Sequence, residues 1–369
     1  MEPKVADLLR SYQIDPEFGF VLPKPLDKLP DKFQPWHDIA DNLPELVASG
    51  ELLKAITNLP QLDTSTLTTN AELRLAHLLL TTLEAAYVWE HGKNNPRLVL
   101  PKQLSTPLLH VCRRIGLPPI ICHASACLAN WKYVTGKTEF KAENIELIAF
   151  KFMHHIGNHW FFTLTAELET KFAAAIRAIA RACLHLKIFD DTFEQIRLSL
   201  NQATTTIRRM QENLPPEVFY HGFRSFLSGY TEGKFVEQGG IILEGNEDIG
   251  AQCYNGGSAA QSSTLHIIDG FLDIVHPEHE TEFLLTQRNY MPPAHKQFIE
   301  WVETQAEQIP AIKQSPEYGE TVAKLRNFRN EHIKVVIQYI VQQADPGSKG
   351  LGTGGTSFMR LLKNIRNDC

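Results

Sequence analysis

The 369-residue chain is predicted to be all-α: a small N-terminal helical domain, residues 1–140, packed on a larger C-terminal helical domain, residues 141–369. Three observations carry this. Apolar residues recur at intervals of three or four through most of the chain, the period of a helix with one buried face. Strand-like alternation is scarce, so no extensive β-sheet is expected. Prolines such as Pro23, Pro25, Pro30, Pro35 and Pro44 divide the first part into short helices and loops. The polar segment Lys132–Asn144 is the expected boundary.

Residues 71–90, AELRLAHLLLTTLEAAYVWE, read as a helix. In 162–186, Leu164, Leu168, Phe172, Ile176, Ile179, Cys183 and Leu186 form a stripe with Glu167, Glu169, Lys171 and Arg177 between them, predicting one long amphipathic helix. A second begins near Thr192 behind Asp190 and Asp191, with Phe193, Ile196, Leu200, Ile207 and Met210 on one face. Pro215-Pro216 ends it and opens a third, striped by Phe219, Phe223, Leu227 and Tyr230, with Gly229 marking its end. Further helices are expected at 263–275, 280–290, 294–308 and 318–343.

Composition narrows the class. A 43% hydrophobic share, a 21% charged share and a mean hydropathy of −0.20 describe a soluble globular protein with room for an internal pocket. The net charge of −6, without a polybasic run, argues against nucleic acid as a partner. The N-terminus MEPKVADLLRSYQIDPEFGF lacks an apolar signal core, and no stretch approaches a membrane span. Six cysteines, Cys112, Cys122, Cys127, Cys183, Cys253 and Cys369, are scattered without CxxC spacing, as reduced thiols of a cytoplasmic protein would be. A monomer that does not touch membranes is expected.

Candidate chemistry begins at His332 in FRNEHIKVVIQYI. Val322, Leu325, Phe328, His332, Val335 and Tyr339 follow at helical intervals, so the imidazole lies on the buried stripe. Two readings stay open from spacing alone: a hydrogen-bonded core histidine, or a metal or haem ligand with Arg329 one turn earlier as a propionate partner. In HHIGNH, His155 and His159 have the i, i+4 spacing of a zinc pair but lack the glutamate of HExxH. His276 and His279 read as solvated turn residues. GLGTGG, residues 350–355, matches GxGxxG without a preceding strand, so it is read as a flexible loop into a short helix or as a tail linker. Ser262 or Ser263 is expected to cap a helix, while Gly256-Gly257-Ser258-Ala259 would let backbone approach a flat ligand. Arg224, among aromatic residues, is either solvated or a carboxylate anchor.

Together the stretches YQIDPEFGFVLP, LPPIICHASACLANW, FRSFLSGY, LEG, GGSAAQSS, YMPPAHKQF and GTGGTSF resemble the indoleamine 2,3-dioxygenase family along nearly the whole chain. The resemblance implies haem b, ferrous when active, between the two domains, and cleavage of the indole ring of L-tryptophan by O2 to N-formylkynurenine. It also implies an electron donor that keeps the haem ferrous. It makes His332 the axial iron ligand and Arg329 a propionate contact, with Ser258, Ala259 and Phe161 beside the cofactor. Substrate contacts would come from Arg224 on the carboxylate and Phe219 on the indole. Tyr220, Leu227, Thr165, His123 and Gly257 would complete the cavity, with Thr353 in the closing loop at about 346–356. Three residues depart from the mammalian pattern: Thr165 for a serine, His123 for a tyrosine and Tyr220 for a phenylalanine. The added imidazole is expected to alter oxygen-complex stability or substrate preference. An alternative within the same fold is a haem protein that binds O2 with little tryptophan turnover, since the fold has been recruited for oxygen carriage in molluscs. A haem-free helical scaffold is the remaining alternative.

Overall fold

The structure, a computed structural model, describes residues 2–344 and 358–369, so the glycine loop at 346–356 and Thr353 lie outside the described residues. Helices α1 (Pro3–Ser11), α2 (Gln34–Asp41) and α3 (Leu43–Ser49) each carry a proline in the first turn, where a missing N–H is harmless. α4 (Leu52–Thr57) follows them. α5 (Asn70–Trp89) is the helix expected over 71–90. Thr69 caps it by accepting from the Glu72 amide at 3.2 Å, while the Glu72 carboxylate accepts from the Thr69 amide at 2.9 Å. From Leu73 to Trp89 every residue is buried, so α5 is the axis of the N-terminal half and not a one-faced helix.

β1 (Val99–Leu100), α6 (Lys102–Ile115), α7 (His123–Ala126), β2 (Lys132–Tyr133) and β3 (Ile145–Glu146) come next. β2 and β3 pair antiparallel across the segment expected as the domain boundary. The single helix expected over 162–186 is two, α8 (Ile156–Thr170) and α9 (Ala173–His185). Leu186, expected on the stripe, instead ends α9 in the left-handed region at φ 49° and is 44% exposed. Periodicity does not register such a break, because the buried faces of the two pieces keep nearly the same phase.

After α10 (Thr192–Arg208) and α11 (Met210–Asn213), Pro215-Pro216 opens not an α-helix but a π-helical turn, Val218–Phe223, followed by a 3-10 turn, Arg224–Leu227. Gly229 is needed for a close crossing: a Cβ there would lie 2.3 Å from the Gly256 nitrogen and from the Tyr254 oxygen. Across that crossing the Gly257 amide donates to the Leu227 carbonyl at 3.0 Å. Thus Gly256 serves backbone packing, correcting the expectation that its small size serves a flat ligand. α12 (Lys234–Gln238) leads to β4 (Ile242–Leu243), which pairs parallel with β1.

The remaining helices are α13 (Ser263–Leu272), α14 (Glu278–Gln287), α15 (Pro293–Ala306), α16 (Ala311–Gln314), α17 (Tyr318–Val336) and α18 (Phe358–Asn367). α17 passes into a second π-helical turn, Ile337–Val341. Among the described residues the β-sheet content is two two-stranded pairs, so the chain is all-α. Residues 1–140 are tied to 141–369 where α1 packs on α9, where β1 joins β4, and where α5 meets the 3-10 turn. No described helix is long and apolar enough to cross a membrane.

Candidate functional site

A cavity of about 330 Å³ lies between α7, α8, the two π-helical turns, the Gly257–Ala260 segment, α14, α17 and α18. π-helical turns are wider than α-helix and recur at functional sites; here they set Phe219 and Tyr339 edge to face, 6.0 Å apart, on one wall. Tyr339 stays fixed because its hydroxyl donates to the Leu214 carbonyl at 2.7 Å.

α17 presents His332, Arg329 and Phe328 to the cavity. Among the described residues neither nitrogen of the His332 ring has a hydrogen-bond partner. Burial, then the positive charge of Arg329, pushes its pKa down to about 4, so the ring is neutral at physiological pH with lone-pair density free. Arg329 itself is held: its Nη2 donates to both Asp269 oxygens at 2.6 and 2.5 Å, and its Nη1 to the Ile365 carbonyl at 3.0 Å. The Asp269 partner was not foreseen, because it stands sixty residues away in sequence and on another helix.

Phe161, Thr165 and Glu169 from α8 also line the cavity, with Phe219, Arg224 and Leu227. Phe161 and Phe219 are in contact, their ring centroids 5.1 Å apart. Arg224 is buried, with its guanidinium 5.1 Å from the centre of the Tyr220 ring. Burial lowers its pKa, while Tyr220 and Glu232 act in the opposite sense. The Thr165 hydroxyl donates to the Phe161 carbonyl at 2.6 Å, which satisfies it within its own helix. His123, Gly257, Ser258 and Ala259 complete the lining. Of the described residues expected at the site, Tyr220 alone does not line the cavity; it packs behind Arg224.

Several other expectations are corrected. Glu167 and Glu169, expected on a polar face, are buried carboxylates. Glu167 accepts from the Ala142 amide at 2.9 Å and pairs with Lys171 and Arg209, each at 3.0 Å. Glu169 pairs with His123 Nε2 at 2.9 Å and accepts from the hydroxyls of Ser262 and Thr264 at 2.6 and 2.7 Å. Ser262 therefore occupies the cap position of α13 but spends its hydroxyl on Glu169, with no side-chain capping bond. His155 and His159 do not form a pair: His155 caps α8 through the Gly157 amide at 2.9 Å, and His159 donates to the Ile145 carbonyl at 3.0 Å. His276 is not solvated but lies between Asp368, 2.7 Å away, and Asp269, 3.5 Å away. His279 is exposed, as expected, but it lies in the first turn of α14 and not in a connecting turn.

Fold and site together define an all-helical protein built around an apolar chamber that is lined by a neutral imidazole and a buried guanidinium. The Indoleamine 2,3-dioxygenase family model matches residues 8–369, and the chain belongs to that family. It is 35% identical to human Indoleamine 2,3-dioxygenase 2, with 97% of this chain and 94% of that protein aligned. It is also 34% identical to a protein named Myoglobin from Haliotis madaka, over 99% of this chain and 98% of that protein. Rat Indoleamine 2,3-dioxygenase 1 is 33% identical over 98% of this chain and 94% of that protein.

Proposed function

We propose that the chain is a haem-dependent dioxygenase that places both atoms of O2 across the indole C2–C3 bond of L-tryptophan, giving N-formylkynurenine. The observation that carries this reading is His332, a neutral imidazole facing the cavity with no hydrogen-bond partner among the described residues. Among those residues no group of three or more His, Cys, Asp or Glu side chains could hold a metal ion. A metal on His332 must therefore bring most of its ligands with it, as haem does. The cavity residues fit that cofactor: His332 would take the iron, with Phe161, Ser258 and Ala259 beside the ring and Arg329 close to its edge. Haem, when bound and kept ferrous by an electron donor, supplies the oxygen chemistry.

The chain's own work is binding and orientation. Arg224 offers a planar fork to a carboxylate in a buried setting, where a charge-assisted bond is strong. Phe219 and Phe161 give the indole an aromatic wall, and Leu227 and Gly257 limit where the ring can sit. His123 is engaged by Glu169, and an addition of this kind needs no base from the wall. All six cysteines are unpaired, which suits the reducing compartment expected for the protein. Reduced, haem-loaded protein given L-tryptophan and isotopically labelled O2 is expected to yield N-formylkynurenine with both labelled atoms. Absence of product under reducing conditions overturns the reading.

A second reading rests on the abalone relatives named Myoglobin: an O2-binding haem protein with little tryptophan turnover. It requires reversible O2 binding that L-tryptophan leaves unchanged, with no kynurenine product.

A further inference from the structure

A second cavity, also of about 330 Å³, lies apart from the first, and among the described residues the two share no lining residue. It is bounded by α3, the end of α5, the segment 152–154 and the turns at 218–227. Those turns are two-faced: Phe219, Arg224 and Leu227 line the first cavity, while His221, Gly222, Ser225 and Phe226 line the second. Gly222 lets the turn approach the facing wall, since a Cβ there would lie 3.0 Å from Met153 Sδ. Phe152 and Phe226 stack with ring centroids 4.4 Å apart and planes 8° from parallel, which gives the cavity a flat aromatic wall. Such a volume with a largely apolar lining suits a small molecule.

Two adjacent residues at the end of α5 give this lining its chemistry. The Glu90 side chain is 3% exposed. Arg97 Nη2 donates to its Oε2 at 2.6 Å, and His91 stands 3.8 Å from the same oxygen. The other oxygen, Oε1, is buried with no hydrogen-bond partner among the described residues. The indole N–H of Trp89 is likewise buried and without an acceptor. Buried polar groups are nearly always paired, so an acceptor and a donor left over on neighbouring residues of one cavity mark what a ligand would supply. Apart from the exposed His154 and His221, Glu90 is the one ionisable side chain among the described residues that line it. An anionic ligand would meet like charge there. A metal ion would find a single carboxylate, and the described residues offer no cluster of ligands. An ammonium group gains a charge-assisted bond to the carboxylate and the faces of the aromatic rings. We infer that the second cavity binds a small organic ammonium ion, an aryl amino alcohol in type. Its nitrogen donates to Glu90 Oε1, its hydroxyl oxygen accepts from the Trp89 indole N–H, and its ring lies on the wall of Phe152 and Phe226. The inference rests on these residues and not on the haem reading.

Haem-loaded protein is titrated with phenylethanolamine by calorimetry, with phenylethylene glycol as the uncharged counterpart of the same shape. Saturable binding with a Kd below about 1 mM is expected for the amine, and binding about tenfold weaker for the glycol. Glu90→Gln keeps the side-chain shape and an acceptor but removes the charge, and it is expected to weaken the amine about tenfold and to close the gap between the two compounds. Ala48 is exposed on α3 and lines the cavity, so Ala48→Trp is expected to abolish binding by filling the space while Glu90 and Arg97 stay as they are. Circular dichroism checks that both variants are folded. No saturable binding, equal affinity for amine and glycol, or an affinity that either variant leaves unchanged overturns the assignment. The Soret band, read alongside, reports the first cavity. A Soret shift that tracks the heat of binding and survives Ala48→Trp puts the amine there and also overturns it.

Discussion

His77 in α5 and His332 in α17 sit on long helices, and burial pushes the pKa of each to about 4. Their surroundings differ. His77 Nε2 donates to the Pro118 carbonyl at 2.9 Å, which leaves Nδ1 to accept the Ser125 hydroxyl at 2.7 Å. Its ring is saturated and pins α5 to the segment before α7. His332, only partly buried against the fully buried His77, has no such partner among the described residues and faces open volume. Desolvation is common to both and cannot tell a structural imidazole from a ligand; the count of satisfied nitrogens can.

The largest effect expected from this contrast is at His332. His332→Ala is expected to abolish stable haem binding, read as loss of the Soret band, while circular dichroism shows the helices intact. The reverse pattern is expected at His77. His77→Leu leaves the Pro118 carbonyl and Ser125 hydroxyl without a partner and is expected to cost about 2–3 kcal/mol in urea unfolding, against less than about 1 kcal/mol for His332→Leu in haem-free protein. Equal losses at the two positions would erase the distinction. Arg224→Ala, with the Soret band unchanged, is expected to weaken L-tryptophan binding by about 1.5–3 kcal/mol in an optical titration. Unchanged affinity would remove Arg224 from the site.

The smallest effect is the pH dependence. His77 has a folded pKa of about 4 against an ordinary 6.5, so the unfolded chain takes the proton more readily. The associated stability is complete above about pH 6.5 and is lost as pH falls through about 4. Burial lowers His266 to about 4 and His295 to about 3, so both add to the same loss. In His77→Leu the slope of stability against pH in this window should fall by up to about one proton. A slope unchanged from wild type would show that His77 does not titrate there.

Much of the helical layout is legible in the chain itself. The 71–90 helix, the helix after Thr192 and those near 263, 294 and 318 follow from apolar spacing, because each must bury one stripe. What spacing misreads are breaks that preserve phase, as between α8 and α9, and turns that change pitch, as at Val218–Phe223. Polar residues were misread for a related reason. Glu169 looks solvated in sequence and becomes buried only when His123, Ser262 and Thr264 arrive from elsewhere to meet it.

By itself, then, the order of residues determined the all-helical class, the inward aim of His332 and the family to which the chain belongs, since periodicity and ordered motifs are properties of a one-dimensional string. Tertiary structure alone decided which buried polar groups are satisfied and which are left to act. Hydrogen-bond partners for a buried group come from distant segments, and burial costs the same wherever the partner originates. His77 and His332 look alike until those segments are in place.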